Sequence, residues 1–101
     1  MIVYNVTCNV DEKVHKEWMQ WMKEEHLPEV MGTGMFIDHN MYRLMTRQYD
    51  EKGVTYCIQY TCETYADYDR YQTEFGPALK QKTLEKFGDK VLAIRTLMES
   101  V

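Results

Sequence analysis

Apolar and polar side chains alternate along two segments of the chain, Ile2 to Val10 and Val54 to Cys62, with the two-residue period of a β-strand. We expect the apolar side to pack under helices; it comprises Ile2, Tyr4, Val6, Cys8, Val54, Tyr56, Ile58 and Tyr60. The opposite side comprises Asn5, Thr7, Asn9, Thr55, Cys57, Gln59 and Thr61. These side chains are too polar for a dry core and too short for an ordinary charged surface, so they predict the lining of a wet cavity.

A helical period follows the first strand. Val14, Trp18, Trp21 and Met22 recur on one face, after Asp11 as an expected N-cap. Because a residue before proline avoids helical geometry, Pro28 predicts that this helix ends near His26 and that residues 29–34 form a loop.

A second helix is predicted after the Val54–Cys62 strand. Thr64 and Asp67 resemble a capping box, with aspartate in the usual position of glutamate. The apolar face follows as Tyr68, Tyr71, Phe75 and Leu79. The pair Gly76-Pro77 should kink or split this helix, which is expected to end near Phe87-Gly88.

Two further strands complete the pattern, Met35 to Arg47 and Lys90 to Met98, with a hairpin turn at Tyr49 to Gly53. The order β-α-β-β-α-β predicts an α+β protein, a single ferredoxin-like domain over residues 1–101. Right-handed crossovers place both helices on one face of a four-stranded antiparallel sheet. The other face is then bare.

The faces of these two strands are harder to assign. We place Arg95 on the bare face, and Leu92, Ile94 and Met98 under the helices. For the second strand we place Met35, Ile37, His39, Met41, Arg43 and Met45 on the bare face, and Phe36, Tyr42 and Leu44 on the other, although a bulge would invert part of this set. The methionines and Ile37 would form an exposed apolar patch, which predicts a twofold homodimer with facing sheets.

Charge and cysteine content narrow the class of protein. The 101 residues carry 12 basic and 16 acidic side chains, a net charge of −4 that argues against nucleic acid as a partner. An RNA-recognition module would require the tyrosine face to be bare, which would bury Asn5, Thr7 and Gln59 without partners.

No run approaches about 18 apolar residues, so no membrane segment is expected. Three cysteines without motif spacing predict a reducing, cytoplasmic location.

The densest ionisable cluster ends the first helix. Glu25 continues the stripe of Val14, Trp18 and Trp21, where burial and the helix dipole would favour its protonated form and suit a general acid or base. The stripe could instead emerge into water at that point. His26, on the flank, is either a second acid–base candidate or a cation that stabilises the helix end.

Pocket candidates follow from the bare face. His39 either packs structurally or meets a ligand together with Arg43; the other expected pocket residues are Asn5, Thr7, Cys57, Gln59 and Arg95. The three histidines lie on three different elements and no Cys-x-x-Cys spacing occurs, so neither a metal nor another cofactor is expected.

The segment from Trp18 to Glu29, with its His26-Leu27-Pro28 element, and the element order resemble the dimeric α+β barrel superfamily. The chain is most similar to EthD-like and antibiotic-monooxygenase-like small barrels, and within them to an uncharacterised bacterial family of about this length. The resemblance implies a homodimer whose paired sheets enclose a cavity. Relatives include cofactor-free monooxygenases, cyclases and isomerases of small molecules, a haem-degrading branch, and members with no known activity.

Haem chemistry is not carried over, because haem-degrading barrels use a histidine on the second helix and this chain has none there. We therefore expect a pocket for a small, partly apolar organic molecule. One hypothesis is cofactor-free acid–base chemistry by Glu25 or His26, with Asn5, Gln59 and Arg43 orienting polar atoms. The alternative is a non-catalytic ligand-binding or protein-interaction module with the same dimer. The sequence leaves open whether the protein is an enzyme.

Overall fold

Four strands form one antiparallel sheet in a computed structural model that describes residues 1–46 and 51–101. The strands are β1 (Ile2–Val10), β2 (Asp38–Arg43), β3 (Val54–Cys62) and β4 (Val91–Glu99), in the spatial order β2-β3-β1-β4. Two helices pack on one face of the sheet, one after β1 and one after β3. The predicted ferredoxin-like fold is confirmed.

The first helix spans residues 15–32, so the prediction that it ends near His26 is wrong. It consists of an α-helix (His15–Trp21), a π-helical turn (Met22–His26) and a second α-helical segment (Leu27–Gly32). Pro28 lacks an N–H group and its ring crowds the carbonyl one turn earlier. The wider π turn, in which the Leu27 N–H donates to the Met22 carbonyl, accommodates the proline without ending the helix.

The second helix spans residues 65–87 and repeats this arrangement. An α-helix (Tyr65–Arg70) leads into a π turn (Tyr71–Phe75) and a longer α-helix (Gly76–Phe87). The predicted cap is confirmed, because the Asp67 N–H donates to Thr64 Oγ1 at 3.3 Å. The split predicted at Gly76-Pro77 takes the form of this π turn. Gly88 ends the helix with a φ of 56° and leads through a 3₁₀ turn (Gly88–Lys90) into β4.

Two local predictions need correction. Asp11 does not cap the first helix, whose N-cap is Val14. The Asp11 carboxylate instead accepts from the Lys13 N–H at 2.8 Å, in the turn before the helix. The second strand is shorter than predicted, covering Asp38–Arg43 only. Arg47 and the first two residues of the hairpin turn predicted at 49–53 lie outside the described residues.

The pairing of β4 with β1 overturns the predicted faces of β4. Ile94 is opposite Thr7 and Arg95 is opposite Val6, so Arg95 lies on the helix side of the sheet. The bare face carries Leu92, Ile94 and Met98 instead. The error has a physical cause: β4 is an edge strand with apolar residues on both sides, so its pattern does not identify the covered face.

The face of β2 is also the reverse of the prediction. His39 pairs with Tyr60, Met41 with Ile58 and Arg43 with Tyr56, which places His39, Met41 and Arg43 on the helix side. The bare face of β2 carries Asp38, Asn40 and Tyr42, beside the polar residues of β3. The predicted methionine patch on the bare face is therefore wrong. The apolar residues there are Val3, Tyr42, Leu44, Leu92, Ile94 and Met98.

The core lies between the sheet and the helices. Its largest fully buried side chains are Trp18, Ile58, Val10, Val30 and Cys62. The predicted faces of β1 and β3 are confirmed, since Tyr4 and Tyr60 stack against each other at 6.1 Å and Tyr4 contacts Tyr71 of the second helix at 6.0 Å. An aromatic cluster thus joins the middle of the sheet to the second π turn.

Candidate functional site

A cavity of about 310 Å³ lies between the helices and the sheet, on the side of the core toward β4. The helices cover β1 and β3, whereas the helix-side residues of β4 from Ala93 onward stay exposed. The small side chain of Ala93 leaves space over the sheet there. The volume is at the low end of the range typical of small-molecule sites, about 300–1,000 Å³.

Three surfaces enclose the cavity. The floor is the helix side of the sheet: Tyr4, Val6, Cys8, Ile58, Tyr60, Val91, Ala93 and Arg95. One wall is the first helix: Trp18, Trp21, Met22 and His26. The other wall is the second helix and its end: Tyr71, Leu79, Lys80, Thr83, Leu84 and Gly88. Both π turns contribute residues to the lining. Such turns occur frequently at functional sites.

His26 is the lining residue with the most altered chemistry. Its ring stacks on Trp21 with centroids 4.8 Å apart, and its Nδ1 is buried without a hydrogen-bond partner among the described residues. Burial lowers the His26 pKa to about 4. The negative charge of Glu29 acts against this effect, and the positive charge of Lys82 adds to it. The imidazole is therefore neutral at neutral pH.

Glu25 does not join this site. It is exposed and does not line the cavity. In an uninterrupted α-helix it would follow Trp18 and Trp21 on the buried stripe, as the sequence predicted. The π turn adds one residue to this turn of the helix, which shifts the inward-facing positions by one. His26 and Leu27 therefore face inward and Glu25 faces solvent.

The other polar groups inside the cavity are neutral as well. Burial raises the pKa of Cys8 to about 11, so this thiol is protonated and is not a nucleophile at neutral pH. Burial also raises the pKa of the Tyr60 and Tyr71 phenols. These hydroxyls can donate or accept hydrogen bonds without carrying charge.

The mouth of the cavity has a different character. Its exposed lining residues are Lys80, Leu84, Ala93 and Arg95. Arg95 lies close to the Tyr4 phenol, whose pKa is raised by burial while the charge of Arg95 acts in the opposite direction. Beside this group, Gln72 Nε2 donates to Tyr68 Oη at 2.6 Å. The cavity thus combines a neutral interior with a cationic rim.

Four of the predicted pocket residues lie on the bare face, away from this cavity. Asn5 is opposite Gln59 and Thr7 is opposite Cys57 in the pairing of β1 with β3. Asn5 Nδ2 donates to Thr7 Oγ1 at 2.9 Å, and Thr7 Oγ1 is 3.8 Å from Cys57 Sγ. Asn5 Oδ1 is buried and has no partner within the described part of the chain. These residues form a polar strip along the centre of the sheet.

His39 and Arg43 occupy a third location. They line a shallow groove at the β2 edge, on the helix side, together with Met19, Lys23 and Tyr56. The sequence placed both residues on the bare face beside Asn5 and Gln59, and the register of β2 contradicts that placement. Of the predicted site residues, only His26 and Arg95 meet at the cavity.

The cavity residues that sequence reasoning missed are chiefly Tyr4, Tyr60, Tyr71, Lys80 and Cys8. We assigned the strand members of this group to packing alone. The signal was the number of tyrosines on the helix side, because a buried phenol needs a hydrogen-bond partner that an aliphatic core does not provide. Within residues 1–46 and 51–101, no three His, Cys, Asp or Glu side chains are grouped to hold a metal ion.

The sheet, the helix pair and the enclosed cavity define a small α+β protein of the ferredoxin-like class. The chain matches the model of the DUF4286 family, a domain of unknown function, over residues 1–101, and it belongs to that family. No curated protein matches the chain. Among the described residues, no helix is both long and apolar enough to cross a membrane.

Solved structures support the superfamily resemblance. An ethyl tert-butyl ether D (EthD) family protein from Bacillus halodurans is 17% identical with a TM-score of 0.69, covering 100% of both chains. The Arabidopsis thaliana protein At3g17210 has the same identity of 17% and TM-score of 0.69, covering 100% of this chain and 98% of its own. A dimeric ferredoxin-like protein from an uncultured marine organism is 11% identical with a TM-score of 0.65, covering 99% and 94%. At these identities the likeness concerns the fold alone, and it confirms the predicted ferredoxin-like α+β fold.

Proposed function

We propose that each subunit binds a small, partly apolar organic molecule in the cavity between the helices and the sheet. The observation that carries this proposal is the cavity of about 310 Å³ itself, whose walls include aromatic side chains from the sheet and both helices. Aromatic walls with a few polar groups are typical of small-molecule sites.

Filling the cavity tests this proposal. We expect neutral 2-naphthamide to shift amide NMR signals of the lining residues, and Ala93→Trp to weaken its binding by at least about 10-fold, because the indole would occupy the space over β4. Leu97→Trp is the matched control, since Leu97 lies on the same strand and the same side but outside the lining. Equal binding by the two variants would contradict the cavity as the site.

We also propose that the protein is a homodimer formed through the bare face of the sheet; the marine ferredoxin-like protein is likewise dimeric. Two observations support it. Ile94 and Leu92 of β4 are 72% and 61% exposed, and Tyr42 and Leu44 add apolar surface at the opposite edge. The centre of this face carries the short side chains of Asn5, Thr7 and Cys57 rather than lysine or glutamate, so a second sheet can approach it closely.

A charge on this face should break the dimer. We expect Ile94→Lys to raise the dimer dissociation constant about 20-fold, because a twofold interface would bury one unpaired lysine from each subunit. Ile37→Lys is the control: Ile37 is 52% exposed but precedes β2, outside the bare face. Sedimentation equilibrium measures both. A wild-type protein that is monomeric at micromolar concentration would refute the dimer.

Cofactor-free proton transfer by His26 is the enzymatic form of the proposal. A pKa of about 4 makes His26 fully unprotonated at neutral pH but a weak base, and a general base works best with a pKa near the working pH. Because its pKa is well below neutral, His26 is a poor general base, which favours a binding function over catalysis. The free thiols of Cys8, Cys57 and Cys62 support a reducing compartment such as the cytoplasm for either form.

A further inference from the structure

We propose that the ligand of this cavity is a small ring-bearing carboxylate, with its ring among the aromatic side chains of the interior and its negative charge at the mouth between Arg95 and Lys80. This inference rests on the proposed binding function and specifies the chemical class of the ligand. It follows from three features of the lining: two cations without a carboxylate partner among the described residues, an uncharged interior, and aromatic walls.

The two cations come from different elements and meet at one opening. Arg95 projects from the helix side of β4, and Lys80 belongs to the second helix. Neither forms an ion pair with a carboxylate in the described part of the chain, whereas Lys82 and Lys86 of the same helix pair with Glu29 at 3.1 Å and Glu17 at 3.6 Å. The unpaired lysine is thus the one at the cavity.

These two charges also act against each other. The pKa of Lys80 is lowered, first by desolvation and then by the charge of Arg95. The chain has 16 acidic and 12 basic side chains, so carboxylates are available in excess, yet none of those described neutralises this pair. An anion at the mouth would remove the repulsion, and a carboxylate accepts the hydrogen bonds that guanidinium and ammonium groups donate.

The interior excludes a second charge on the ligand. Cys8, Tyr60 and Tyr71 are held in their neutral forms by burial, and His26 is an uncharged imidazole at neutral pH. A charged group in that environment would lack a counterion. The walls instead consist largely of aromatic side chains, against which a flat ring can pack. The cavity volume of about 310 Å³ limits the ligand to a small molecule.

A pair of isosteric probes separates charge from shape. We expect the anion 2-naphthoate to bind wild-type protein at least about 10-fold more tightly than neutral 2-naphthamide, measured by calorimetry at pH 7. Arg95→Gln should reduce this preference by weakening naphthoate about 10-fold more than it weakens naphthamide. Higher salt should weaken naphthoate selectively, since the mouth is exposed.

Arg43→Gln is a matched control, because Arg43 is also an exposed arginine on the helix side of an edge strand, but it lies at the β2 edge outside the cavity. Equal affinities for the two probes, or the same affinities in the Arg95→Gln and Arg43→Gln variants, would overturn the carboxylate assignment and leave the binding function standing. Preference for the cationic 2-naphthylmethylamine would also overturn it. Failure of all three probes to bind at millimolar concentration would refute the assignment together with the binding function.

Discussion

Replacing Trp18 with alanine is expected to lower the free energy of unfolding by about 3–5 kcal/mol, the range found for large aromatic residues truncated in a core. Trp18 is 1% exposed and packs against Tyr56 of β3, with ring centroids 5.2 Å apart. It fixes the first helix on the sheet and forms part of the cavity wall. The cost is large because the rigid sheet below cannot fill the space that the indole leaves.

Denaturant unfolding followed by far-ultraviolet circular dichroism measures this loss without depending on tryptophan fluorescence. Both proteins should be compared at one concentration, since a dimer makes stability depend on concentration. Lys16→Ala, at an exposed position of the same helix, should change stability by less than about 0.5 kcal/mol. A loss below about 1 kcal/mol for Trp18→Ala would show that this helix does not pack through its tryptophan face.

The fold was predictable because its strongest signals are local. The two-residue alternation of β1 and β3 fixed their bounds, and their faces followed because both lie in the interior of the sheet with one apolar and one polar side. The Thr64 cap was likewise visible as a short motif whose hydrogen bond is made within one turn.

The edge strands show where this reasoning stops. In β4, Leu92 and Ile94 alternate with Val91 and Ala93, so both faces are apolar and hydrophobic period gives no answer. For β2 a signal was present: Asp38 and Asn40 match the polar neighbours Thr61 and Gln59 across the strand pair. Register with an interior strand decides the face of an edge strand, and register is a property of pairing rather than of one segment.

The candidate site was harder to predict than the fold because π turns cannot be read from helical period. A proline inside an apolar periodic segment indicates an end, a kink or a π turn, and the sequence does not distinguish them. Before Pro28 the helix forms a π turn, which places Glu25 in solvent and His26 at the cavity. The site itself depends on the gap between the second helix and β4, a distance set by packing of the whole helix layer.

His26 should make the protein sensitive to mild acid. Its pKa is about 4 in the folded protein, chiefly because of burial, against 6.5 as the ordinary value. As the pH falls through 6.5 the unfolded chain takes up a proton at this residue before the folded protein does, so protonation favours unfolding. The stability that the neutral ring provides is complete above about pH 7 and is lost as the pH falls toward 4. The expected loss from this one group is about 2–3 kcal/mol.

The measurement is the difference between wild-type protein and His26→Gln in unfolding free energy at several pH values from 7 to 4. Carboxylates titrate in both proteins, so the difference isolates the imidazole. Wild-type stability should fall more steeply, and the difference between the two proteins should change steadily from pH 7 to pH 4. His39→Gln is the control and should keep the wild-type slope, because His39 lies in the groove at the β2 edge. If His26→Gln keeps that slope as well, His26 is not a buried neutral imidazole, and the description of the cavity interior as uncharged is wrong at this residue.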